Sequence, residues 1–183
     1  IQEHVPVPIC EVKQLLDGKR SGVIRGFLRE DTHEILKYYP EELFFPELEA
    51  RTKEEALKEL VSRVEKLHPL PDGFYEAVCK REKMVHTCMG NRVAMPHPCK
   101  VLTEDTFVSV AILKEPIQWD EVHEVQAVFL VSVSRQKKKQ LQEFYATTDR
   151  LLLDEQRIGQ LIQERTYQSL TENLKTVENE RTE

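Results

Sequence analysis

Arg81-Glu-Lys-Met-Val-His-Thr-Cys-Met-Gly-Asn-Arg-Val-Ala-Met-Pro-His97, followed at once by Pro98, is the stretch from which the rest of this chain is read. It ends a helical segment near Arg81, turns at Met89-Gly90-Asn91, runs as a short strand over Val93 to Met95, and delivers a histidine held between two prolines. Proline disfavours the helical region for the residue before it, so Met95 and His97 are both pushed toward extended backbone, and Pro96 is itself locked in φ. The imidazole is therefore expected on a stiff support. Sixteen positions upstream stands Arg81, whose planar guanidinium suits bidentate contact with an anion. The surroundings fit an anion too: between Lys80 and Lys100 there are five Lys or Arg and one acidic residue, Glu82.

The same residues also propose a metal. His86-Thr-Cys88 and His97-Pro-Cys99 are two His-x-Cys pairs, and in extended backbone the members of such a pair share a face, giving four zinc-type ligands. Their spacings match no ordinary zinc motif, and Cys79 and Cys88 suit small core positions. The reading therefore expects no metal and no cofactor. His4, His33, His68 and His123 stand in polar or linker surroundings and are expected to be solvated.

The stretch resembles the phosphohistidine motif of the mannitol/fructose-type (type 2) enzyme IIA domain of the bacterial sugar phosphotransferase system. An Arg-Glu pair on a helix, a Thr, a Gly turn and an apolar-Pro-His run occur there in this order and at this spacing. The resemblance implies that His97 is the phosphoacceptor, that Arg81 stabilises the phosphate, and that Thr87 and Gly90 complete the site. One departure is plain. Transport members carry a second histidine near the start of the helix after the central strand, whereas this chain has Ser134-Arg-Gln-Lys-Lys-Lys-Gln-Leu141, with Lys139 or Gln140 at about that place. Neither side chain tunes an imidazole as a second titrating ring would.

Composition bounds the rest. A chain of 183 residues holds one domain with a sizeable core and a fragment of another. A net charge of −6 gives no support to nucleic-acid binding through this segment, which would need a basic face. Val125 to Val133, the longest apolar run, is too short to span a bilayer, so no membrane insertion is expected. The four cysteines and the lack of a hydrophobic signal segment point to a reduced, cytoplasmic compartment. A chain opening on Ile1 is read as a piece of a larger protein.

Along the chain, the prolines at 6 and 8 make residues 1–10 extended, and 11–40 read as short helices in a linker. Leu43-Phe44-Phe45 is a first strand ending at Pro46. Thr52-Lys-Glu-Glu55 is a capping-box pattern, opening a helix with Ala56, Leu57, Leu60, Val61, Val64 and Leu67 inward until Pro69. Asp72 caps a second helix over 73–83 with Phe74, Ala77 and Val78 inward. Phe107–Leu113 and Val125–Val133 are strands, the second apolar enough to be central. Pro116-Ile-Gln-Trp119 reads as a loop with an anchoring aromatic. Helices follow over 137–153, around Ile158 to Ile162, and around Tyr167 to Leu174, and the charged tail from Val177 is expected to fray.

Helices alternating with few strands argue for a layered α/β domain. The resemblance adds a three-layer helix/sheet/helix arrangement around a small mixed sheet. It divides the chain into the end of a preceding IIB-like domain with its linker (1–40), an enzyme IIA-like domain (41–176) and a tail (177–183). Glu42-Leu-Phe-Phe45, Ala94-Met-Pro-His-Pro98, Glu115-Pro-Ile-Gln-Trp119 and the missing histidine look like the C-terminal IIA-like domain of transcriptional regulators that carry phosphotransferase regulatory domains. The implied phosphoryl donor is the phosphocarrier protein HPr or a IIB component, and the other implied partners are neighbouring domains of the parent regulator. A transport IIA component and a docking module without phosphate are the alternatives.

Overall fold

Side-chain alternation along two strands sets the layers. In β4 (Phe107–Gln118), Val108, Val110 and Ile112 join one apolar cluster while Phe107, Ala111 and Leu113 join another. In β5 (Glu124–Ser132), Ala127, Phe129 and Val131 face the first cluster and Val128 and Leu130 the second. A strand buried on both faces must be apolar on both, and each side chain of this kind taken from water stabilises by about 1.5–3 kcal/mol. These two strands are the centre of the computed structural model, which describes residues 33–182. The expected extended residues 1–10 and helices across 11–32 lie outside the described residues.

Five strands form one mixed sheet in the order β1-β4-β5-β3-β2, completed by β1 (Phe44–Leu48), β2 (Cys88–Gly90) and β3 (Val93–Ala94). β1 runs parallel to β4 and β3 parallel to β5, while β4–β5 and β2–β3 are antiparallel. The second cluster is covered by α1 (Lys53–Leu67) and α2 (Phe74–Met84), through Leu57, Leu60, Val61, Val64, Phe74 and Val78. The first is covered by α3 (Lys138–Leu152), α4 (Glu155–Glu164) and α5 (Tyr167–Thr182), with Phe144, Leu151, Leu161 and Leu174 among its buried members. The result is the expected helix/sheet/helix sandwich.

Local signals hold with shifts. Thr52 Oγ1 accepts from the Glu55 amide, but the Glu55 carboxylate returns to the amide of Arg51, one residue earlier than a capping box places it. Leu67, expected inward, is 55% exposed in the last turn of α1. Gly73, with φ of +79°, and not Asp72, caps α2. Leu43 belongs to a 3-10 turn (Glu41–Leu43), and β1 continues through Pro46, which an edge strand tolerates.

Three boundaries move further. β4 does not stop at Leu113: it slips register between Ile112 and Ile117, then resumes pairing, so the expected loop at Pro116 to Gln118 is strand. Trp119 is a buried anchor, as expected. Residues 34–38 form a 3-10 helix whose Ile35 and Tyr38, with Tyr39 after it, enter the first cluster, so this stretch belongs to the module and not to a linker. At the far end, α5 runs on to Thr182 and Val177 is fully buried, where fraying is expected.

Candidate functional site

β2 and β3 form a hairpin whose turn explains three consecutive left-handed residues: Gly90 at φ +82°, Asn91 at +50° and Arg92 at +61°. Two central residues with positive φ are the type I′ geometry that matches strand twist, and Asn accepts it readily. Asn91 is also tied down, its side-chain NH2 donating to the Leu152 carbonyl at the end of α3. Farther along the hairpin the Met95 amide donates to the Thr87 carbonyl at 3.0 Å, and the Pro96 carbonyl accepts from Val131. His97 thus emerges beside the C-terminal end of β5.

The ring is half-buried, with Nδ1 2.8 Å from the Met95 carbonyl. A carbonyl only accepts, so Nδ1 carries the proton and Nε2 keeps a lone pair. Burial lowers the His97 pKa, the Met95 contact opposes that, the Arg81 charge lowers it further and Glu82 partly offsets it. The net shift is downward, and the neutral ring dominates at neutral pH.

Arg81, in the last turn of α2, sends Nη1 to the Val85 carbonyl at 2.6 Å. This satisfies an orphan carbonyl at the helix end. It also holds the guanidinium two residues before Thr87, which pairs with Met95, two residues before His97. The Arg81 charge acts on the His97 ring, lowering its pKa, while its Nη1 stays on the Val85 carbonyl.

Glu82 is the residue whose importance the sequence reading missed. It is 2% exposed, and its carboxylate accepts from the Thr87 amide at 3.2 Å, the Thr87 hydroxyl at 2.5 Å and the Trp119 indole at 2.8 Å. Lys53 Nζ lies 3.7 Å away and His86 Nδ1 3.5 Å away. The signal was present: Phe74, Val78 and Glu82 follow at four-residue spacing, so a carboxylate sits on the buried stripe of α2. Such an acid persists only when hydrogen-bonded and near cations.

The other expected site residues are placed differently. Thr87 has spent its amide and hydroxyl protons on Glu82. Gly90 lies at the turn opposite Val93, four strand positions before His97, which at strand spacing is on the order of 13 Å. Burial raises the Cys88 thiol pKa, the Gly90 amide opposes that, and the Asp120 and Glu82 charges raise it further. Lys139 is exposed and lies 3.9 Å from Glu143. The four proposed zinc ligands do not converge among the described residues; Cys88 instead meets Asp120 and His123.

A sequence-family model described as "Phosphoenolpyruvate-dependent sugar phosphotransferase system, EIIA 2" matches residues 37–177. A probable licABCH operon regulator of Bacillus subtilis (strain 168) is 34% identical over 172 residues, 94% of this chain and 27% of that protein. The transcriptional regulator ManR of the same organism is 25% identical over 154 residues, 79% of this chain and 24% of its own length. The chain therefore spans about a quarter of these relatives. Among solved structures, the complex of enzyme IIA of the mannitol system with phosphorylated enzyme IIB from Escherichia coli matches with a TM-score of 0.62 at 21% identity, covering 74% of this chain and 97% of the other. At that identity the likeness concerns the fold.

Proposed function

The chain belongs to the phosphoenolpyruvate-dependent sugar phosphotransferase system EIIA 2 family, and from that premise we propose that it is a phosphohistidine-bearing regulatory domain of a sugar-responsive transcriptional regulator, with His97 as acceptor. The observation that carries the reading is the His97 ring, held through Nδ1 by the Met95 carbonyl so that Nε2 keeps its lone pair; burial and the Arg81 charge both favour its neutral form.

In the proposed step, Nε2 attacks the phosphorus of a phosphohistidine or phosphocysteine donor. The new N–P bond forms as the donor's N–P or S–P bond breaks, and that electron pair leaves on the donor's imidazole or thiolate. The Met95 carbonyl stabilises the positive charge the His97 ring gains, and Arg81 stabilises the phosphoryl oxygens. Glu82 fixes the hairpin through Thr87 and Trp119. Thr87 and Gly90 act on backbone shape and not on the phosphate.

The regulatory reading is supported by the regulator relatives and by the lack of a histidine in Ser134–Leu141. The donor is HPr or a IIB component, and the output is a changed contact with neighbouring domains of the parent protein, since a phosphate adds roughly −1.5 to −2 charges. The setting is cytoplasmic; no helix among the described residues is long and apolar enough to cross a membrane.

The test is incubation with the general phosphotransferase proteins and labelled phosphoenolpyruvate. An acid-labile label lost in His97→Ala is expected; no label on the wild type, or an undiminished label in His97→Ala, refutes the proposal. Efficient onward transfer from His97 to a IIB partner would favour the transport reading.

A further inference from the structure

Outside the His97 site, one group of unlike donors among the described residues converges from two separate parts of the fold. Cys88 Sγ on strand β2, a carboxylate oxygen of Asp120 and a ring nitrogen of His123 in the β4–β5 turn all lie within 4.8 Å of one another. We propose that Cys88, Asp120 and His123 form a binding site for a zinc-class divalent cation that staples the edge strand β2 to the β4–β5 turn.

The donor set selects the ion class. A thiolate with an imidazole and a carboxylate suits zinc or cobalt, whereas magnesium and calcium call for oxygen alone. With bonds of roughly 2.0–2.3 Å, tetrahedral ligand atoms sit about 3.3–3.8 Å apart, so this cluster closes on one ion by side-chain adjustment of about 1 Å. Solvent takes the fourth position. The thiol proton leaves to solvent, the His123 ring stays neutral with its N–H on the nitrogen that does not bind, and thiolate plus carboxylate balance the two positive charges.

The supporting contacts are those a ligand set needs. The amides of Val122 and His123 donate to Asp120 Oδ1 at 2.9 and 2.8 Å, which fixes the carboxylate without using Oδ2. His123 Nδ1 lies 2.9 Å from Oδ2, and the cation takes the place of the proton shared there. Access is open, since the His123 side chain is 49% exposed beside an exposed Val122. The site is independent of the phosphoryl reading.

The experiment titrates cobalt(II) into the reduced, chelator-treated chain and follows absorption, the emission of Trp119 and the melting temperature. Expected are one cobalt per chain, a sulfur-to-cobalt charge-transfer band, displacement by zinc, and a rise in melting temperature with zinc. Cys88→Ser abolishes the band and the exposed-loop variant His123→Ala weakens binding at least tenfold, while replacing Cys10, Cys79 and Cys99 together by serine changes neither. No band, a band surviving Cys88→Ser, or one lost with the other three cysteines overturns the proposal. Because His123→Ala removes an exposed side chain, its unchanged cobalt affinity would overturn it even if Cys88→Ser failed to fold.

Discussion

The indole N–H of Trp119 donates to Oε1 of Glu82 at 2.8 Å, linking the end of β4 to the last turns of α2 across 37 residues. Trp119 is the chain's single tryptophan, so its emission reports on the carboxylate that orders the segment between Arg81 and His97. Glu82→Gln keeps one acceptor oxygen but turns an NH2 toward Thr87, leaving buried donors unpaired. A loss of about 1–3 kcal/mol is expected in urea unfolding, with a changed Trp119 emission.

Arg81→Lys retains the charge and loses the planar fork. Phosphoryl acceptance at His97 is expected to fall about 10- to 100-fold, with little change in melting temperature. A time course of acid-labile labelling measures it, and an unchanged rate would remove Arg81 from the site.

The pH dependence of labelling follows the His97 shift. Its pKa lies below the ordinary 6.5, so the nucleophilic neutral ring persists as the pH drops through 6.5 and is lost only below it. Between the folded and unfolded pKa values the unfolded chain binds more protons, so His97 also makes stability fall with falling pH in that window. NMR titration of the ring checks the direction, and a midpoint above 6.5 contradicts it.

Asp149 carries the opposite sign. Burial pushes its carboxyl up to about 6, and Oδ1 is buried without a hydrogen-bond partner. Between the ordinary 3.8 and about 6 the folded chain holds a proton the unfolded chain releases, so stability falls as pH rises through that window. Asp149→Asn is expected to stabilise by roughly 1 kcal/mol at neutral pH, allowing for partial solvent contact, and by much less at low pH. Thermal melts at the two pH values give the comparison.

Gly90→Ala tests the placement of the turn. A Cβ there meets nothing within 4 Å, yet φ of +82° strains any L residue. A cost of about 1–2 kcal/mol is expected, with labelling at His97 retained because the turn stands apart from the ring.

Much of this was legible because it was periodic. The apolar stripe of α1, the run of β5 and the proline-bracketed His97 each follow from local chemistry that tertiary packing only reinforced. The far half of β4 was hidden because Lys114, Glu115 and Pro116 are exposed where the register slips, breaking alternation just where pairing resumes. β2 has three residues, too few for a period. Charged neighbours around Val177 predict a tail, although its own side chain is buried. Glu82 was legible only as a carboxylate on the buried stripe of α2; its pairing with Trp119, and the approach of Cys88 to Asp120 and His123, join residues distant in sequence, which no local pattern encodes.

Glu178 near the end of α5 receives both the Ile35 amide, at 3.0 Å, and the His33 ring, at 2.9 Å. The first and last elements of the described fold are thereby buckled to each other through one carboxylate. A pull on the polypeptide at residue 33 loads α5 through this carboxylate as well as the sheet, against which Ile35, Tyr38 and Tyr39 pack. Glu178 is accordingly one point at which strain entering at the start of the described fold reaches its last helix.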